Sequence, residues 1–181
     1  CYSSFFVAVS GSDYKRPIVN VDAVRVSPIG LPSEEETGRV AALLGREPAV
    51  AFEIVVTDTG GDPVVIRNGP IMNDGRPMPT RYWLVGRDLS RRVARLEGKG
   101  GVRAAEAAVD AGELAATHAR YAAERDSEIP EDHVGPRPTG GVGGTRTGVK
   151  CLHTHLAYHL AVGQDPVGAW VVNQLEADQG A

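Results

Sequence analysis

The chain has 181 residues, of which 42% are hydrophobic and 23% charged, and it carries a net charge of −4 with a pI near 5.7. This balance is typical of a soluble globular protein of one ordinary domain. The acidic charge argues against a nucleic acid partner, which usually requires a basic face. No apolar run is long enough to cross a membrane, and the opening residues lack the pattern of a secretion signal.

Cysteine usage points to the cytoplasm. The sequence has two cysteines, Cys1 and Cys151, which are too few for a disulfide framework. Residues 1–30 show little periodicity, so we expect a loosely ordered N-terminal arm with a short strand at Phe5–Val9. A single domain is expected over residues 31–176. We therefore expect a cytoplasmic protein that has neither nucleic acid nor a membrane as a partner.

The first part of this domain predicts one helix followed by a small sheet. Ser33 and Glu36 have the spacing of a helix capping box, and Gly45 suits the end of that helix. Residues rich in β-branched and aromatic side chains predict three strands, separated by turns rich in glycine, aspartate and proline. The predicted strands are Ala49–Val56, Val64–Arg67 and Arg81–Val85.

Helices dominate the second part of the domain. The first is predicted from Asp88, which would cap it, to Gly98, and the second from Val102 to Arg125, with Gly112 as a weak point. The third is predicted from about Gly148 to Ala161 and is ended by Gly163. The fourth is capped by Asp165 and has Pro166 in its first turn. A loop rich in proline and glycine covers Ser127–Thr147. These elements predict an α+β fold, with a small, mainly antiparallel sheet covered by C-terminal helices.

The segment Gly140–His159 concentrates the residues that can carry chemistry. Thiolate and imidazole are ligands that zinc prefers, so Cys151, His153 and His155 are candidate metal ligands. On a helix, Cys151 and His155 share one face. If the helix begins at about Leu152 instead, the chain can curl and bring His153 beside Cys151. A further ligand would come from elsewhere in the chain, and the candidates are His118 and His133.

The same segment also has the features of an anion site. A glycine loop that enters a helix exposes backbone N–H groups, and the helix dipole favours a negative ligand. The candidate residues for a small anionic ligand are Gly143, Gly144, Arg146 and Lys150. The loop does not match a nucleotide-hydrolysing phosphate loop, because cysteine follows Lys150 where that motif requires serine or threonine.

A third interpretation makes Cys151 a nucleophile, because a thiol near a helix start and beside Lys150 and histidines loses its proton more readily. His118, Tyr121 and Arg125 fall on one face of their predicted helix and could complete such a site. The candidate catalytic residues are Cys151, His153, His118 and Arg125. No complete catalytic motif is present, so the sequence leaves open whether the chain is an enzyme and which of the three interpretations applies.

Several stretches of the chain, in family order, resemble an actinobacterial family, domain of unknown function 501. They are LLGREP at Leu43–Pro48, DGRPMPTRYWL at Asp74–Leu84, RLEGKGGV at Arg95–Val102, HARYAAER at His118–Arg125, the GVGG and GVKCLHTH motifs, and DPVGAW at Asp165–Trp170. The resemblance covers about residues 37–175. It carries no established activity with it.

The resemblance also has implications for the site and for partners. Members of the family tend to carry cysteine at two further places, where this chain has Asp58 and, after the third strand, Val85–Arg87. A metal held by three cysteines would therefore need other ligands here, and Asp58 could coordinate through oxygen. Family genes often neighbour those for a septum-formation initiator, which implies a non-enzymatic role with a cell-division protein as the alternative function.

Overall fold

The computed structural model describes residues 24–26 and 30–178. The strand expected at Phe5–Val9 and most of the expected arm lie outside these ranges. The strands are Arg25–Val26 (β1), Phe52–Thr57 (β2), Pro63–Asn68 (β3) and Tyr82–Leu84 (β4). The helices are Glu34–Leu44 (α1), Arg87–Gly98 (α2), Gly101–Ala108 (α3), Ala111–Asp126 (α4), Leu152–Val162 (α5) and Pro166–Ala177 (α6).

The first helix and the antiparallel sheet are present as predicted, but the sheet has one strand more than the three predicted, because β1 lies in the segment expected to be a loosely ordered arm. The strands lie in the order β1-β2-β3-β4, and each neighbouring pair is antiparallel. Ser33 and Glu36 form the expected capping box, and Gly45 ends α1 in the left-handed conformation. The turn between β2 and β3 is closed by Asp58, whose Oδ1 accepts the N–H groups of Gly60 and Asp62 at 2.8 and 2.9 Å.

Two of the helix predictions are wrong. Asp88 does not cap α2; Gly86 precedes the helix, and Asp88 lies in its first turn, where a carboxylate complements the helix dipole. The helix expected from Val102 to Arg125 is two helices, because the chain is extended at Val109 and starts again at Asp110. The carboxylate of Asp110 accepts the N–H of Glu113 at 2.9 Å, which caps α4.

Helix α5 packs against the sheet, mainly against β4, and α6 packs against α5 and the other helices. α5 begins at Leu152, later than the expected start near Gly148, and Gly163 ends it as predicted. Asp165 caps α6 with Pro166 in the first turn, also as predicted. Apolar side chains of α2 to α6 form a continuous buried cluster that includes Val93, Leu152, Leu156 and Val171.

The outcome is an α+β fold in which helices that follow an antiparallel sheet cover it. Strand β4 is tied to α4 at Arg81, which is 1% exposed. The backbone N–H of Arg81 donates to the hydroxyl of Tyr121 at 2.6 Å, and its guanidinium bonds to Glu124 and Glu128. Among the described residues, no helix combines the length and the apolar character needed to cross a bilayer.

Candidate functional site

Cys151 lies immediately before α5 and is not part of the helix. Its backbone is extended, with φ −155° and ψ 122°, and Leu152 is the first helical residue. Cys151, His155 and His159 therefore do not form one helical stripe. The alternative prediction applies, in which the helix begins at Leu152 and the chain before it curls to bring His153 beside Cys151. Cys151 Sγ lies 3.8 Å from His153 Nδ1.

The ring of His153 is held by its other nitrogen. Nε2 lies 3.0 Å from the carbonyl oxygen of Ser90 in the first half of α2. A carbonyl can only accept a hydrogen bond, so the hydrogen is on Nε2 and donates to Ser90. The bond turns Nδ1 towards Cys151. It also makes Nδ1 the nitrogen whose lone pair is available whenever the ring is neutral.

Glu97 is the third member of the group, and sequence reasoning missed it. It lies in the last turn of α2, and its Oε1 is 3.2 Å from His153 Nδ1. The same oxygen accepts the N–H of Leu152 at 2.6 Å, which satisfies one of the free N–H groups at the start of α5. Glu97 is far from Cys151 in the chain, and no local motif relates the two.

The three donor atoms, one from each side chain, lie within 4.8 Å of one another; we call this group the Glu97–Cys151–His153 cluster. Each residue is partly buried, and the side chains of Glu97 and His153 are both 26% exposed. In the part of the chain that the structure describes, it is the one group of three or more such residues with metal-binding spacing. The cluster joins the end of α2 to the start of α5.

The contacts within the cluster shift the pKa values of His153 and Cys151 in opposite directions. The pKa of His153 is raised to about 9, chiefly by the hydrogen bond to Cys151 and also by the charge of Glu97, against the opposing effect of burial. Burial raises the pKa of the Cys151 thiol, but His153 and the backbone N–H of Thr154 lower it more, so that it lies below its usual value. The imidazolium form of His153 is therefore favoured near neutral pH in the metal-free protein.

His155, the third metal candidate from the sequence, lies elsewhere. Its side chain is 1% exposed, and Nδ1 lies 2.7 Å from Oδ2 of the fully buried Asp165. Nε2 is buried without a hydrogen-bond partner, and the ring meets the ring of His118 edge-on at 5.8 Å between centroids. The structure places His155 in the packing between α4, α5 and α6.

The two remaining histidine candidates also have backbone partners. His118 Nδ1 accepts the N–H of Val142 at 3.1 Å, which leaves Nε2 to donate to the carbonyl of Gly148 at 3.1 Å. Both nitrogens of this ring are therefore occupied. His133 Nε2 lies 3.3 Å from the carbonyl of Pro136, within its own loop.

Arg125 holds the glycine loop in place. Its side chain is 1% exposed, and the guanidinium donates to the carbonyl oxygens of Gly140 at 2.7 Å and Pro138 at 3.3 Å. Gly141 approaches α4 so closely that a Cβ there would lie 2.4 Å from the Cβ of His118. The face of α4 that carries these residues therefore supports the loop, and it is buried.

Backbone groups of the predicted anion loop are bonded within the protein. Gly143 and Gly144 form a tight turn with φ of 67° and 74°. The N–H groups of Gly141, Val142, Gly144 and Thr145 donate to Thr145, His118, Gly141 and Val142 respectively. Arg146 and Lys150 are exposed. The four named N–H groups are therefore bonded within the protein. Of the predicted anion-binding groups, the side chains of Arg146 and Lys150 are the ones at the surface.

The histidine that supports the loop gives a pH prediction. Burial lowers the pKa of His118 below its ordinary 6.5, so the unfolded chain takes up this proton first as the pH falls. The contribution of His118 to the free energy of unfolding is therefore complete above about pH 6.5. As the pH falls below that value, this contribution decreases by up to about 1.4 kcal/mol per pH unit. His118→Asn keeps an acceptor for Val142 and does not titrate. Urea unfolding at pH 7.5 and 5.0 should show a smaller loss for the variant than for the wild type; equal losses would contradict the assignment.

The fold and the cluster together define an α+β protein with a three-residue candidate metal site between two helices. The model for the family described as protein of unknown function, DUF501, matches residues 54–173, and the chain belongs to this family. The family resemblance read from the sequence is thereby confirmed. No curated protein and no solved structure matches the chain.

Proposed function

We propose that this protein binds a zinc ion, or a similar divalent transition metal, at the Glu97–Cys151–His153 cluster. The observation that carries the proposal is the convergence of sulfur, imidazole and carboxylate donors within 4.8 Å, from the end of α2 and the start of α5. These donor types are the ones that zinc accepts in proteins. The proposal retains Cys151 and His153 of the sequence expectation and puts Glu97 in the place of His155.

The distances suit a tetrahedral ion. Zinc lies about 2.3 Å from sulfur and about 2.0–2.2 Å from nitrogen and oxygen, so tetrahedral angles put sulfur and nitrogen about 3.6 Å apart and nitrogen and oxygen about 3.4 Å apart. The corresponding separations are 3.8 Å from Cys151 Sγ to His153 Nδ1 and 3.2 Å from that nitrogen to Glu97 Oε1. Both separations are within about 0.2 Å of the tetrahedral values, and the third pair, Cys151 Sγ and a carboxylate oxygen of Glu97, lies within 4.8 Å.

The surroundings of His153 support the same assignment. Metal-binding histidines usually donate their other ring N–H to a carbonyl or carboxylate, which fixes the ring and leaves the coordinating nitrogen free of hydrogen. The bond from His153 Nε2 to the Ser90 carbonyl has this form. A metal would replace the proton on Nδ1, between Cys151 Sγ and Glu97 Oε1.

The arrangement fits a metal better than a nucleophilic relay. In a relay of the Ser-His-Asp type, one ring nitrogen faces the nucleophile and the other faces the carboxylate. Here Cys151 and Glu97 both face Nδ1, while Nε2 is bonded to a backbone carbonyl. In such a triad the carboxylate orients the ring from the nitrogen opposite the nucleophile, and Glu97 does not occupy that position here.

Cobalt(II) titration of the purified, metal-free protein tests the proposal. We expect uptake of one ion per chain, with the near-ultraviolet absorption of a cobalt–thiolate bond, and full displacement by one equivalent of zinc, which binds similar sites. The absorption reports on sulfur coordination directly. Absence of the thiolate band at saturating cobalt would contradict a site that contains Cys151.

A further inference from the structure

A cavity of about 600 Å³ lies between α1, the β2–β3 turn and the beginning of α2. Its volume is within the range of roughly 300–1,000 Å³ that is common for small-molecule sites. None of the three residues of the Glu97–Cys151–His153 cluster lines it. The cavity is therefore a separate feature, and its role does not depend on the proposed metal.

Much of the wall is apolar. The apolar residues that line it include Leu43 from α1, Val64 from β3 and Leu89 from α2, together with Val24, Ala42 and Pro63. Such a wall suits an aliphatic or similarly apolar group, since burying that surface from water is favourable. Polar groups at the edge must then provide orientation and specificity.

Three arginines at this cavity supply positive charge. The Nε of Arg39 is buried and has no hydrogen-bond partner. Arg87 donates from Nη2 to the carbonyl of Ala42 at 3.2 Å, and Arg92 donates from Nη2 to the carbonyl of Leu175 at 2.6 Å. Each guanidinium has several further N–H groups, so these backbone bonds position the side chains and leave donors for a ligand.

The carboxylates at the cavity have other partners. Asp62 lies 3.6 Å from Arg39, and Asp88 is 95% exposed and lies 3.8 Å from Arg91, a residue outside the cavity. Asp58 accepts two N–H groups of its own turn through Oδ1. The α2 N-terminus, which has no side-chain cap, also forms part of the wall and favours negative charge. Arg87 and Arg92, by contrast, form no ion pair with a carboxylate among the described residues, so their positive charge favours an anion beside them.

We infer that this cavity binds a small amphipathic anion, with an aliphatic body against Leu43, Val64 and Leu89 and an acidic head group at Arg87 and Arg92. The inference combines a ligand-sized volume, an apolar wall and arginines that are positioned by backbone bonds. It concerns residues that the proposed metal site does not use.

Calorimetric titration of the metal-free full chain with octanoate tests this inference, with octanol as the matched probe that lacks the acidic head. We expect saturable binding of one octanoate and at least about tenfold weaker binding of octanol, since bonds to charged groups are the stronger ones. Because the protein is metal-free, the result is independent of the zinc proposal. Absence of octanoate binding, or equal affinity for both probes, would overturn the inference.

Variants of one helix supply the control. Arg87 and Arg91 are both exposed on α2, but Arg87 alone of the two lines the cavity. Arg87→Gln should weaken octanoate binding at least about fivefold, whereas Arg91→Gln should leave it unchanged. Leu43→Trp, which fills the cavity, should weaken octanoate and octanol alike. Equal affinities in Arg87→Gln and Arg91→Gln would contradict the proposed position of the head group.

Discussion

Replacement of Cys151 by serine is expected to weaken zinc binding by more than about 100-fold. Loss of a hydrogen-bond partner behind a ligand already costs roughly 10–100-fold in metal affinity, and loss of the ligand itself removes a direct bond. A serine hydroxyl stays protonated near neutral pH and does not replace a thiolate as a zinc ligand. A chelator competition assay on metal-free protein at pH 7.5 measures the change.

Matched variants of the same residue types separate coordination from general effects. Cys1→Ser removes the other cysteine of the chain and should leave zinc affinity unchanged. His153→Gln should weaken binding as strongly as Cys151→Ser, whereas His133→Gln, whose ring is bonded within its own loop, should not. Equal zinc affinities in Cys151→Ser and Cys1→Ser would contradict the proposed site.

Replacement of Asp165 by alanine is expected to cost about 2–5 kcal/mol of unfolding free energy. One carboxylate oxygen caps α6 through the N–H of Gly168 at 2.8 Å, and the other accepts from His155 Nδ1 at 2.7 Å. Loss of a helix cap costs about 1 kcal/mol, and leaving a buried donor without a partner costs about 1–3 kcal/mol more. A cavity in place of the fully buried side chain adds to the loss.

Asp110 provides the control for this prediction. It caps α4 through the N–H of Glu113 at 2.9 Å, but it lies at the surface and has no buried histidine partner. Asp110→Ala should therefore lower the free energy of unfolding by about 1 kcal/mol, the usual cost of losing a helix cap. Urea unfolding of both variants in the same buffer gives the comparison. If Asp165→Ala is no more destabilised than Asp110→Ala, then the buried pair with His155 contributes nothing measurable.

Local signals explain which elements the sequence predicts well. The Ser33 capping box, the Asp165 cap with Pro166 and the helix end at Gly163 depend on neighbouring residues only, and all three are present. The break between α3 and α4 is also local, but alanine-rich sequence on both sides concealed it. Asp110 is itself a capping residue, and its spacing from Glu113 was the signal that could have located the break.

The candidate site shows the limit of reasoning along the chain. Cys151 and His153 are close in sequence, so their contact could be foreseen once the helix was taken to begin at Leu152. Glu97 reaches them only because α2 packs beside the start of α5, which is a tertiary contact with no local pattern. His155 lies away from the cluster because it bonds to the buried carboxylate of Asp165. That contact also depends on the packing of α6, so no local pattern in the sequence predicts it.

X-ray absorption at the zinc edge, on the Cys1→Ser protein loaded with one equivalent of zinc, tests the central claim most directly. In this variant Cys151 is the one remaining cysteine. The Glu97–Cys151–His153 site predicts a single sulfur at about 2.3 Å, with nitrogen and oxygen at about 2.0–2.2 Å. A coordination shell of nitrogen and oxygen alone would contradict it.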